Sequence, residues 1–433
     1  MEIAELYTLF KRHPAISTDT RNITPDSLFF ALKGANFNGN AFAVRALEAG
    51  AAYAVVDEPV CPTNKRIVVV RDVLTALQDL ARYHRRQLTI PVIGITGTNG
   101  KTTSKELLYA VLSQRYQAFA THGNLNNHIG VPLSVLSIGP EIEMAIIEMG
   151  ANHLGEIALL CSIAQPSHGL ITNVGRAHLE GFGSFEGVKK TKAELYDWLS
   201  THQGTLFLQH DNELLLEMAA KRNFKQRVTY GFKKDNRISG EIIASGPLLN
   251  LRWQEHGQAG SYEVQTQLTG AYNAENVLAA ICAGRHFDLS PENINAGIRS
   301  YKPKNNRSQL TFTETNTLIC DFYNANASSM AAALENVTLM PSAQKVVILG
   351  DMFELGNDSF EEHRKIVQIV AEMSLGTKIF VGKEFYKQKN PSAEFYETTD
   401  ELMKKLKDQP IRHSLVLLKA SRGMAFEKLV PYF

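Results

Sequence analysis

The sequence predicts an α/β protein of three domains with a mostly parallel sheet at its centre. Three observations carry that prediction. At 433 residues the chain is too long for one ordinary domain. Its most apolar runs are short and rich in Val and Ile, as at residues 90–96 and 144–148, with helical patterns between them. Strands that are apolar along their whole length belong in parallel sheets covered on both faces. Finally, the polar stretch Tyr301-Lys302-Pro303-Lys304-Asn305-Asn306-Arg307 reads as a linker to a further set of strands and helices.

The elements follow in order. Residues 1–85 form a small N-terminal α/β domain, with strands at 27–32, 52–56 and 66–70 and a helix at 41–49. Residues 86–300 form the central domain. There a buried strand at 90–96 runs into a glycine-rich turn and a helix with Leu107, Leu108, Val111 and Leu112 on one face. Strands at 144–148 and 169–173 and a helix at 185–199 come next. Residues 301–433 repeat a strand-then-helix unit at 346–349, 378–381 and 415–418, the pattern of a smaller doubly wound, Rossmann-like domain.

Composition excludes some functions. With 45 basic against 44 acidic residues, no charge excess points to nucleic acid or a membrane surface. No apolar run reaches spanning length, so no membrane insertion is expected. The cysteines, Cys61, Cys161, Cys282 and Cys320, are scattered and read as thiols of a reducing compartment. Glu2 and Glu5 stand where a signal peptide would be basic. A cytoplasmic monomer is expected.

The turn Gly97-Thr98-Asn99-Gly100-Lys101-Thr102-Thr103 lies between strand and helix, where a phosphate chain can be cradled. Its glycines let successive N–H groups point at oxygen, and the helix start adds its positive dipole end. Lys101 can reach the β- and γ-phosphates of ATP, and the Thr102 hydroxyl can ligate Mg²⁺. The common pattern has glycine where this chain has Ile95.

Three residues could complete such a site. Glu148 ends its strand, at the carboxyl edge where ligands bind in these sheets. His178 follows the next strand. Either can ligate Mg²⁺ or simply make a structural hydrogen bond. Lys192 falls in the apolar stripe Phe185, Val188, Leu195 and Leu199, so it must snorkel, pair or be modified, because an unpaired buried ammonium is costly. Lys189 and Lys190 lie off that stripe and read as solvated.

Several separated segments together resemble the Mur ligase family of peptidoglycan synthesis, over nearly the whole chain. They are Ser17-Thr18-Asp19-Thr20-Arg21 and Leu28-Phe29-Phe30-Ala31-Leu32-Lys33-Gly34 in the first block, with Thr20 where the family has Ser. In the second they are Gly123-Asn124-Leu125-Asn126-Asn127-His128-Ile129-Gly130, Glu148-Met149-Gly150-Ala151 and Gly270-Ala271-Tyr272-Asn273-Ala274-Glu275-Asn276, with Tyr272 in place of the usual His. In the third, Asp321-Phe322-Tyr323-Asn324-Ala325-Asn326, the segment from Leu349 to Gly356 and Lys419-Ala420-Ser421-Arg422-Gly423-Met424 match the branch that adds D-alanyl-D-alanine. Ala327-Ser328 stand where that branch has Pro-Asp, which leaves fine amino-acid specificity open.

The resemblance implies roles. Thr102 and Glu148 would bind one Mg²⁺ and His178 a second, and Lys192 would be a carbamate that also ligates metal. Gly97 to Thr103, Asn273, Asn276, Arg307 and Asp321 would hold ATP, with the two asparagines near adenine, Arg307 at the phosphates and Asp321 at the ribose. Ser17, Thr20 and Arg21, with Asn124, Asn126, Asn127, Asn324 and Asn326, would contact substrates. Lys101, Lys192 and His178 would act in catalysis. The implied reaction joins D-Ala-D-Ala to UDP-MurNAc-tripeptide through an acyl phosphate. A sibling ligase adding the third peptide residue, a folylpolyglutamate synthetase and a non-catalytic nucleotide-binding homologue are the rival readings.

Overall fold

The computed structural model describes residues 1–61, 63–176, 179–304 and 306–433. Its strands gather into three main sheets. The first is parallel, in the order Ile16–Ser17, Leu28–Phe30, Tyr53–Val56, Ile67–Val69. Alternate residues serve its two faces: Phe29, Ala54 and Val56 pack with Ala43, Ala46 and Leu47, whereas Leu28, Phe30 and Val55 pack with Leu6, Phe10 and Leu77. The helix expected at 41–49 is split, because Asn38 caps a 3₁₀ turn at Gly39–Phe42 ahead of the helix Ala43–Glu48.

Two helices flanking the strands of the first block were not expected from the sequence. Ile3–Arg12 and Val73–Gln87 are both amphipathic, and the second is capped by Asp72, whose side chain accepts the Thr75 N–H at 2.7 Å. Val73–Gln87 joins the first block to the centre. Its Leu77 and Leu80 share one core with Leu6 and Phe10 on one side and Ile157 and Leu160 on the other.

The central sheet runs Tyr262–Gln265, Asn250–Glu255, Ile238–Ala244, Gln226–Gly231, Thr205–Gln209, His168–Ile171, Val92–Thr96, Met144–Glu148, Ala118–Ala120. It is parallel from Ala118–Ala120 through Ile238–Ala244, and the last two strands are antiparallel. That antiparallel extension was not read from the sequence. Its strands alternate buried and exposed positions, so they lack the continuous apolar runs that marked the others. Helices cover both faces: Ile93 and Ile95 pack with Leu107, Leu108 and Val111, while Val92, Ile147 and Ile171 pack with Leu160 and Leu195. Val92–Thr96 lies between Met144–Glu148 and His168–Ile171, so the chain reverses its order of strands there, at the switch point where ligands bind.

The third sheet runs Gln309–Phe312, Thr317–Asp321, Leu415–Lys419, Lys345–Gly350, Thr377–Val381, Glu394–Tyr396, parallel except for its first strand. It has two cores of its own, one on each face. Among the described residues all four cysteines are free, three of them buried, and no helix is long and apolar enough to cross a membrane.

Candidate active site

The turn after Val92–Thr96 is held from its own sheet. The Thr98 N–H donates to the Asn173 carbonyl at 3.0 Å and the Asn99 N–H to Asn173 Oδ1 at 2.9 Å. The Asn99 carbonyl accepts from Thr172 Oγ1 at 2.6 Å and Asn173 Nδ2 at 3.1 Å. This corrects the strand expected at 169–173: it ends at Ile171, and the next two residues become the brace of the loop. Gly97 and Gly100 both take positive φ, and a Cβ on Gly97 would fall 2.0 Å from Thr172 Oγ1. Only glycine fits so close a turn. Lys101 opens the helix Lys101–Leu112, and its Nζ donates to the carbonyls of Gly97 and Thr98 at 2.8 and 3.0 Å.

Glu148, at the carboxyl end of its strand, is 1% exposed. One carboxylate oxygen accepts from Asn126 Nδ2 at 2.8 Å, and the other has no hydrogen-bond partner among the described residues. A buried anionic oxygen without a donor is the vacant valence that a cation satisfies. The loop beneath it is also fixed: the Glu148 N–H donates to Thr121 Oγ1 at 3.0 Å, and the buried Lys105 donates to the Thr121 carbonyl at 2.6 Å.

Lys192 lies on the helix Phe185–Thr201 and is 3% exposed, as its place in the apolar stripe required. Its Nζ sits 5.5 Å from the centre of the Phe182 ring and makes no hydrogen bond among the described residues. Burial, reinforced by the charge of Lys101 and opposed by Glu156 and Glu194, brings its pKa down to about 7. Burial also lowers the pKa of Lys101. Lys190 is exposed as expected, but Lys189 is part-buried, drawn against Glu217 at 3.6 Å.

One cavity of about 950 Å³ collects these groups. It is lined by Gly97 to Thr103, Asn124, Asn126, Asn127, Glu148, Lys192, Asn273, Asn276, Arg307, Asp321, Asn324 and Asn326. Asn276 Nδ2 donates to Asn273 Oδ1 at 3.1 Å, and Asn276 Oδ1 accepts from Ser104 at 3.0 Å. Tyr272 bonds Ser308 across the linker at 2.8 Å. Asp321 is held by Lys419 Nζ at 2.7 Å and by the Ser308 N–H at 3.2 Å. The Arg307 guanidinium stacks 3.7 Å from the centre of the Tyr323 ring, and Arg422 approaches the same ring at 5.4 Å. The Asn127 side chain is turned to its own backbone, accepting the N–H groups of Ile129 and Gly130.

Three expected site residues lie outside that cavity. Ser17 is buried, bonded to Ser27 and to the Thr24 N–H; Thr20 is half-buried; and Arg21 is exposed and paired with Asp19 at 2.6 Å. His178 lies outside the described residues. The sequence reading missed Thr172 and Asn173 as loop braces, and it gave no role to Tyr323 or Ser328. For Asn173 the signal was available, since a polar residue just past an apolar strand at the switch point faces the ligand edge.

Comparison with known proteins agrees with this geometry. Three family models match in succession: "Mur ligase family, catalytic domain" at residues 14–85, "Mur ligase middle domain" at 95–284 and "Mur ligase, glutamate ligase domain" at 306–422. The UDP-N-acetylmuramoyl-tripeptide--D-alanyl-D-alanine ligase of Bacillus subtilis (strain 168) is 35% identical, covering 96% of this chain and 92% of that one. The enzyme of the same name from Escherichia coli (strain K12) is 34% identical over the same shares. A crystal structure of MurF from Acinetobacter baumannii superposes with a TM-score of 0.86 at 30% identity, over 96% of this chain and 92% of that one. MurF ligase from Thermotoga maritima, in complex with ADP, gives 0.85 at 25% identity over 96% of each. The chain belongs to the Mur ligase family.

Proposed function

We propose that the protein joins D-alanyl-D-alanine to UDP-N-acetylmuramoyl-tripeptide at the cost of ATP, giving the pentapeptide of peptidoglycan synthesis with ADP and phosphate. The observation that carries this reading is a cavity whose one wall is the phosphate loop and whose other is the third-domain segment from Asp321 to Asn326. The full-length likeness to ligases of that name from two bacteria supports it. We place the enzyme in the cytoplasm as a monomer, in keeping with its four free thiols and near-neutral charge.

The residues present fit a magnesium nucleotide, because Glu148 offers a bare carboxylate oxygen beside a glycine cradle. Thr102 and Glu148 would hold one Mg²⁺, and His178 and Lys192 would serve a second. When bound, these ions offset the repulsion between the γ-phosphate and the tripeptide carboxylate as the acyl phosphate forms. Lys101 adds a fixed cation at the same place, releasing its two loop carbonyls for phosphate oxygen. Asn126 holds Glu148 in its orientation. With a pKa near 7, Lys192 presents a substantial neutral fraction, whose lone pair can add to CO₂ with loss of one proton to give a carbamate. That step turns a costly buried ammonium into an anion able to ligate metal. Asn273 and Asn276 would approach the adenine, Arg307 would meet the phosphates and Asp321 the ribose. Ser17, Thr20 and Arg21 would serve the nucleotide-sugar end, and Asn124, Asn127, Asn324 and Asn326 the peptide end.

An acceptor panel tests the reading. With UDP-MurNAc-tripeptide and ATP, ADP release should require D-Ala-D-Ala and should not follow L-Lys, meso-diaminopimelate or glutamate. Run with UDP-MurNAc-dipeptide, the substrate an enzyme adding the third residue would need, the same panel should give no turnover; turnover there with L-Lys or meso-diaminopimelate assigns the chain to that sibling reaction.

A further inference from the structure

The Asn99 side chain does not serve the phosphate loop to which it belongs. Its backbone is fully engaged by Thr172 and Asn173, within its own sheet. Its amide instead reaches into the third domain and closes a ring of three hydrogen bonds. Asn99 Nδ2 donates to Ser328 Oγ, Ser328 Oγ donates to Asn326 Oδ1, and Asn326 Nδ2 donates back to Asn99 Oδ1, each at 2.9 Å. We propose that Asn99, Ser328 and Asn326 are positioning residues forming a latch that couples nucleotide loading of the phosphate loop to docking of the third domain.

The chemistry of the ring favours serine. A hydroxyl accepts from one neighbour while donating to the next, so no polar atom in the ring is left without a complementary partner. A carboxylate at position 328 could accept from Asn99 but would turn an oxygen, not a proton, toward Asn326 Oδ1. Position 328 of this chain is serine, which supplies the donor that the ring requires. Asn326 is anchored independently: it caps the helix Ala327–Leu339, its Oδ1 accepting the Ser329 N–H at 2.9 Å. Gly175 stands beside the same contact, where a Cβ would lie 3.4 Å from Ser328 Oγ and from Thr98. A movement of that helix therefore pulls on the middle of the loop. By reciprocity, whatever docking contributes to the phosphate-binding shape of the loop, nucleotide binding returns to docking.

The test is titration of the full-length protein with Mg-ADP by calorimetry. Ser328→Ala and Ser328→Val should weaken ADP binding about three- to tenfold, the share of one bridging hydroxyl in a coupled ring. Ser328→Thr, isosteric with Val but keeping the hydroxyl, should bind within about twofold of wild type. The double variant Asn99→Ala/Ser328→Ala should bind no more weakly than Asn99→Ala alone, because the latch is already open there. Wild-type affinity in the Val variant, equal losses in Thr and Val, or additive losses in the double variant would each overturn the latch. Failure of the wild type to bind ADP would overturn the nucleotide reading on which it rests, and the latch with it.

Discussion

The two edges of the central sheet treat their buried bases in opposite ways. At the amino edge, the Arg85 guanidinium donates to four carbonyls, those of Ala164, Leu88, Ile90 and Gln165, between 2.7 and 3.4 Å. Beside the same strands His168 lies between Ser167 Oγ at 2.9 Å and His286 Nε2 at 3.3 Å, among the rings of Phe207 and Phe287. At the carboxyl edge Lys192 meets an aromatic face, and Glu148 keeps a bare oxygen. Burial lowers the pKa of Arg85, His168, Lys101 and Lys192 alike. A depressed pKa therefore does not by itself mark a functional edge. What separates the two is whether the hydrogen-bonding capacity is already filled.

The strongest way to break that comparison is at the carboxyl edge. Lys101→Ala should reduce acceptor-dependent ADP release by about 10³-fold or more, with little change in melting temperature. Turnover near wild type would remove the phosphate-loop assignment. Lys192→Met should come next, at about 100-fold. In the wild type, ¹³C-bicarbonate should give a carbamate signal that the variant lacks. Addition to CO₂ needs the neutral amine, and the site loses it as pH falls below about 7, so signal and activity should fade together under acid and return with bicarbonate. A plain lysine in fully active enzyme would retire the carbamate.

The amino edge should respond in stability instead. Arg85→Met leaves four carbonyls short of a donor and should cost about 2–3 kcal/mol in denaturant unfolding, with kcat nearly unchanged. The smallest effect belongs to His168, whose folded pKa of about 4 lies below the ordinary 6.5. Between those values the unfolded chain takes up a proton that the folded ring refuses, so stability is lost as pH falls from about 6.5 toward 4. Because the ring is part-exposed, the loss should be about 2 kcal/mol. His168→Phe should flatten that slope, and an unchanged acid profile would show that the imidazole is not the group responsible.

The sequence disclosed the parallel strands because they are apolar at every position, and it disclosed Lys192 because a charged residue in an apolar stripe is conspicuous. It concealed the Asn250–Glu255 and Tyr262–Gln265 strands, whose half-exposed faces blur their period. Residues 97–103 and Glu148 were legible from their place beside strands. The bracing by Asn173 and the ring through Ser328 were not, since both depend on contacts between segments distant in sequence, up to 229 residues apart. Nor could periodicity show that Asn127 turns its side chain onto its own backbone.

The core that runs without a break from Leu6 through Leu77 to Leu160 has a mechanical consequence. Prising the first block from the centre would wet a continuous apolar seam, whereas the third domain keeps its own two cores intact wherever it stands. The seam there includes side-chain hydrogen bonds, such as Asn99 to Ser328 and Asn336 to Thr269, which water can replace at little net expense. The centre is thus tied to the first block by a shared apolar core and to the third domain by contacts that include hydrogen bonds. The cavity wall that carries Arg307, Asp321 and Asn326 therefore stands on the side held by the wettable seam.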